Sequence, residues 1–213
     1  MALESGKTFG GIGALMMFIG VFPLISYYGI IEIIGAILIV VALHNLGSYY
    51  KESSILTNAI YGVAVGAVGT VIAAFAVFYT VLTSMTEFLQ QMYPGWSGDW
   101  STLQNMTPDP SNLDPSAILP FLIGILVVLL IIWVFAIIST FFIRRSLKQV
   151  SNKSNVGLFG TTGMLLLIGA IIPLLGLILM WISALLLAIA FFTLKPQEQA
   201  MASANLPPPP AAV

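Results

Sequence analysis

Residues 117–153 read AILPFLIGILVVLLIIWVFAIISTFFIRRSLKQVSNK. The first 27 of these carry no charge, and the run then ends in Arg144, Arg145, Lys148 and Lys153. About 20 apolar residues in a helix cross the hydrocarbon layer of a bilayer. Lys and Arg are held back on the cytoplasmic side of an inserted chain. The stretch therefore reads as a membrane-crossing helix over 117–143 with its basic end inside. Pro120 falls in the first turn of such a helix, where its missing N–H is harmless.

The same asymmetry extends outward from this span. All seven basic residues (Lys7, Lys51, Arg144, Arg145, Lys148, Lys153 and Lys195) fall in one set of connections. The alternate connections hold Glu87, Asp99, Asp109 and Asp114 and no base. Only 7% of the chain is charged and 59% is hydrophobic, against about 25% charged in an ordinary soluble domain. Lipid is the solvent that tolerates such a composition.

Six spans satisfy the charge pattern, at 9–25, 28–46, 56–83, 117–143, 158–173 and 176–194, with an outer loop over 84–116 and both termini cytoplasmic. The expected fold is an all-α polytopic bundle of six transmembrane helices. It would form a single transmembrane domain over 1–195, followed by a disordered Pro/Ala-rich tail over 196–213. The expected location is the cell membrane, multi-pass. The apolar run behind residues 1–8 has no small-residue cleavage site and flows into the second span, so it reads as a retained helix and not a signal peptide.

Local signals refine this outline. Tyr28 and Tyr49 bracket the second span at a separation that matches the hydrocarbon thickness, as interfacial aromatic belts do. Beyond the third span, Phe88, Leu89, Met92 and Tyr93 share one helical face and Glu87, Gln90 and Gln91 the other, the pattern of an interfacial helix. Pro108, Pro110 and Pro115 exclude a regular helix from the loop that follows. Pro173 and Gly176 break the last apolar stretch into two helices. The first and last hairpins align at an offset of 150 residues, pairing Gly10 with Gly160, Gly13 with Gly163 and Pro23 with Pro173. A duplication would produce that match, and so would the low complexity of apolar sequence.

Few residues carry chemistry. There is no cysteine and one histidine, His44, so a thiolate or multi-histidine metal site cannot be built within one chain, and neither a metal nor a cofactor is expected. Glu32 is the single ionisable group inside a span. Intramembrane carboxylates often serve as ion or proton sites, and a shallow position near the outer surface explains Glu32 equally well. Gly10 and Gly13 in the first span, and Gly62, Gly66 and Gly69 in the third, put small residues where helix backbones can approach closely. Gly10-Gly11-Ile12-Gly13 follows no strand and is not a nucleotide loop. Arg144, Arg145, Lys148 and Lys153 suit contact with anionic lipid.

No catalytic constellation is present, so the leading expectation is a non-enzymatic scaffold or interaction subunit. It would pack against membrane lipid, a protein partner or a second copy through its small-residue faces, with no role for nucleic acid. The alternative is a transporter or channel for a small solute or ion, with Glu32 at an outer vestibule.

Three segments carry a family resemblance. Residues 3–15, LESGKTFGGIGAL, resemble the opening motif of a largely archaeal integral-membrane family known as domain of unknown function 996. Tyr49-Tyr50-Lys51-Glu52, followed by Asn58-Ala59-Ile60-Tyr61-Gly62, resembles its second motif, and residues 142–194 are similar to its closing segment. The resemblance leaves out the outer loop and the tail. It implies a helical membrane protein and assigns no catalytic or binding residue.

Overall fold

A computed structural model describes residues 2–20, 29–112 and 114–196. The regular elements of the described residues are helices, with no strand among them. The elements are α1 (Ala2–Gly20), α2 (Ile30–Tyr49), α3 (Ser53–Thr80), α4 (Thr86–Met92), α5 (Pro115–Ser154), α6 (Gly157–Ile171) and α7 (Pro173–Phe192). A π-helical turn at Val81–Met85 joins α3 to α4, and short 3-10 turns occupy Trp100–Asn105 and Pro110–Asn112. Residues 21–28, which hold Pro23, Tyr28 and the expected boundary between the first two spans, lie outside the described residues, as does the tail from residue 197 onward.

Three of these helices are long and apolar enough to cross a membrane: Ile30–Tyr49, the continuous stretch Ser53–Met92, and Ile118–Ser154. Gly157–Ile171 and Gly176–Phe192 are shorter apolar helices.

Several boundaries differ from the sequence expectation, each for a physical reason. The apolar run of the fourth span ends at Ile143, and α5 continues as a helix beyond it to Ser154. Its basic segment is itself helical because Leu147 and Val150, one turn apart, are buried together. Pro115 does not exclude a helix but opens one, and Pro120 then lies inside α5, beyond its first turn. Pro173 does not end the fifth span. It stands at the first position of α7, where a fixed φ and a missing N–H cost nothing. The break falls one residue earlier, at Ile172, whose backbone is extended.

Packing divides the chain into two compact units, residues 1–64 with 137–213, and residues 65–136. The seven basic residues all belong to the first unit, and Glu87, Asp99, Asp109 and Asp114 all belong to the second.

In the first unit, α1 packs against α2 and α7, and α6 packs against α7. The core gathers Leu46, Ile55, Leu147, Val150, Phe159 and Phe191. The Phe159 and Phe191 rings meet edge to face at 5.1 Å, a favoured aromatic geometry. Trp181 of α7 stacks on Phe18 of α1 at 4.7 Å and donates its indole N–H to the Phe18 carbonyl at 3.0 Å. Away from this core the helices present large apolar side chains outward, Ile33, Ile37 and Leu177 among them. Such a surface suits lipid as the surrounding solvent.

The α2–α3 connection closes tightly. Glu52 N–H donates to the Gly47 carbonyl at 2.9 Å and Lys51 N–H to the Ser48 carbonyl at 3.4 Å. This is the paired bonding of a Schellman helix end. The residue that must then be left-handed is Lys51, at φ 52°.

In the second unit, Gly69 lies against the Phe135 side chain and Gly124 against Thr80, leaving no room for a Cβ at either glycine. Phe88 of α4 stacks on Phe121 of α5 at 5.4 Å, and Leu89 is buried while Glu87 and Gln90 are exposed. The amphipathic face read from the sequence is therefore present. The loop beyond it is tied by Trp96, whose indole N–H donates to the Asp99 carbonyl at 2.7 Å, and by Asp99, whose carboxylate accepts from Ser101 N–H at 2.9 Å.

A candidate anion-binding groove at the basic end of α5

The helical continuation of α5 gives its polar residues a geometry that a loop would not. Ser146, Leu147 and Val150 turn inward and are fully or nearly fully buried. Ser146 anchors this face by donating its hydroxyl to the Ile55 carbonyl of α3 at 2.7 Å. Arg145, Lys148, Gln149 and Asn152 are left on the opposite side at spacings of three, four and seven, which share one helical face. With Asn58 of α3 they line an open groove of about 430 Å³.

Each lining side chain has a local reason for its position. The Arg145 guanidinium lies over the Phe141 ring at 4.7 Å, a cation–π contact that steers an otherwise flexible side chain. Asn58 donates one amide N–H to the Ser54 carbonyl at 2.7 Å, and an amide NH2 has a second hydrogen to give. No carboxylate is among the lining residues.

The four bases read together from the sequence thus have different surroundings. Arg145 and Lys148 line the groove. Lys153 instead pairs with Glu52 at 3.1 Å. Arg144 is half-buried, with its backbone facing Gly163 of α6. Glu52 also accepts the Ser54 hydroxyl at 2.7 Å. That hydrogen bond first, and Lys153 second, hold the Glu52 carboxyl below its usual range. Nearby, burial, with the Tyr49 phenol adding to it, pushes the Tyr50 phenol up to about 12.

Asn58 was noted from the sequence only as part of a family motif, and Gln149 and Asn152 were not singled out. Their signal was the i, i+4, i+7 spacing of Arg145, Gln149 and Asn152, which has meaning only if the helix runs past Ile143.

The other sequence candidates lie elsewhere. Glu32 is the third residue of α2, close to the positive end of the helix dipole. It packs against Gly20, where an added Cβ would lie 2.7 Å from the carboxyl carbon, and it is partnered rather than free. His44 is exposed. Gly10 lies beneath the Phe191 ring, Gly13 against the Gly35 backbone, and Gly62 against Ser139 and Ile143. Gly66 is half-buried, and its carbonyl accepts the Thr70 hydroxyl at 3.0 Å. The repeat partners have different neighbours, since Gly160 faces Ser151 and Gly163 faces Arg144. No group of three or more metal-ligating side chains occurs among the described residues.

An all-α bundle, three of whose helices can cross a membrane, with its bases gathered in one unit, defines the class of this protein. The chain belongs to the DUF996 family of proteins of unknown function, whose pattern matches residues 31–185. It is similar to the uncharacterized protein MJ1644 of Methanocaldococcus jannaschii, with 26% identity over 198 residues, covering 91% of this chain and 94% of that one. No solved structure matches it.

Proposed function

We propose that the chain crosses the cell membrane six times with both termini cytoplasmic. There it acts as a non-enzymatic scaffold that packs against a partner protein, a second copy or lipid. The observation that carries this reading is the destination of the hydroxyl groups in the apolar helices. Thr70, Thr80, Thr83 and Ser183 each donate to a carbonyl one turn back in their own helix, at 2.7 to 3.0 Å. Ser139 donates across to the Gly62 carbonyl of α3 at 2.8 Å. Thr80 and Thr83 also line an open cavity of about 540 Å³, but its surface is mostly apolar, whereas a conduit needs polar groups along a shared aqueous path. Thr162, in α6, is the buried hydroxyl without a hydrogen-bond partner among the described residues.

The test is ion and proton flux into proteoliposomes containing the purified chain. Flux no greater than in protein-free vesicles is expected. Flux that Glu32→Gln abolishes would establish the transporter reading in its place.

A further inference from the structure

We propose that the groove formed by Asn58, Arg145, Lys148, Gln149 and Asn152 binds the phosphate of an anionic lipid headgroup. This deepens the scaffold reading by naming the lipid chemistry it would engage.

Three observations converge on it. The lining residues are all of polar type, with two cations, three amides and no carboxylate. Arg145 and Lys148, three residues apart on one helix, are like charges on one face, an arrangement that is unfavourable until an anion lies between them. The carboxylate nearest in sequence to Asn58, Glu52, is engaged by Lys153. The groove therefore keeps two positive charges and a set of amide donors, which is the complement of a phosphate.

Depth selects the lipid source over a soluble one. Arg145 stands two residues beyond Ile143, the last of the apolar run, and its guanidinium covers the ring of Phe141, itself 40% exposed. A cation seated on an outward-facing aromatic at the end of an apolar helix marks the level where hydrocarbon gives way to headgroups. Basic pockets between helices at that level suit anionic headgroups. A volume of about 430 Å³ suits a headgroup.

The experiment is native mass spectrometry of the full chain in neutral detergent. Dioleoyl phosphatidylglycerol, dioleoyl phosphatidylcholine and inorganic phosphate are offered at equal concentration. The binding is measured without a bilayer, so it stands or falls independently of topology and of the scaffold reading. Preferential retention of phosphatidylglycerol is expected, weakened about fivefold by Arg145→Gln and by Lys148→Gln. Asn152→Leu should weaken it without a change of charge. Lys195→Gln removes an equal charge at an exposed position outside the groove lining and should leave retention unchanged. Elution volume and thermal midpoint check that each variant is folded. Equal loss with Lys195→Gln would reduce the effect to bulk charge and overturn the site. Undiminished retention in Arg145→Gln and Lys148→Gln would do the same. Displacement of the lipid by inorganic phosphate would make the ligand a soluble anion and overturn the lipid assignment.

Discussion

The Phe191 ring of α7 rests on the backbone of α1 at Gly10, in the space that a side chain at Gly10 would need. Phe191 is fully buried and packs edge to face with Phe159, so the ring has nowhere to retreat. Gly10→Ala is expected to lower stability by about 1–3 kcal/mol, the usual cost of overpacking. Gly157→Ala is the control, because a Cβ there meets nothing within 4 Å. Thermal unfolding in detergent should separate the two, and equal midpoints would contradict the packing described.

Ser146 joins α5 to α3 through its bond to the Ile55 carbonyl. Both residues are fully buried. Ser146→Ala should cost about 1 kcal/mol, and Ser146→Val more, because the added methyls have no void to enter. The same unfolding assay checks both. A Ser146→Val protein as stable as the parent would mean that α3 and α5 are not held together at this point.

The Glu52–Lys153 pair confers a pH dependence with a defined sign. The Ser54 hydroxyl and Lys153 favour the ionised carboxylate, so its folded pKa lies below the ordinary 4.5. The pair's contribution is complete above that ordinary value and is lost as pH falls through the lower folded one. Acidification should therefore destabilise the parent more steeply than Glu52→Gln across that window. Parallel stability curves for the two proteins would remove the pair from the account.

Lys51 occupies the left-handed position of the α2–α3 turn at φ 52°, where a side chain costs roughly 1–2 kcal/mol. Lys51→Gly should raise stability by about 0.5–1 kcal/mol, the remainder being lost to the greater freedom of glycine in the unfolded chain. Asn155, at φ 57°, is of a type that tolerates this region. Asn155→Gly should therefore change the thermal midpoint less than Lys51→Gly.

Much of the helix plan was legible because charge-free apolar runs have few alternatives in lipid. Each long helix overlaps a stretch that the sequence reads as apolar and helical, and the apolar face of α4 follows from the spacing of Phe88, Leu89 and Met92. The ends were harder to read. Four charges within ten residues after Ile143 end the apolar run but not the helix, which burial of Leu147 and Val150 carries on to Ser154. Pro115 and Pro173 look like breakers, yet each stands at the start of a helix. The groove was legible only in part. Arg145 and Lys148 are conspicuous, but Asn58 reaches them from 87 positions earlier than Arg145 by a packing of α3 on α5 that no local pattern encodes.

The central claim is that apolar helices cross a membrane and keep the basic connections on its cytoplasmic face. Because the chain has no cysteine, single cysteines report topology without background. The most direct measurement is labelling of intact cells with a membrane-impermeant maleimide, comparing Ser97→Cys in the acidic loop with Asn152→Cys at the basic end of α5. Both positions are exposed. The account predicts that Ser97→Cys is labelled from outside and that Asn152→Cys is labelled only after the cells are opened. Labelling of Asn152→Cys on intact cells, with Ser97→Cys protected, would contradict it.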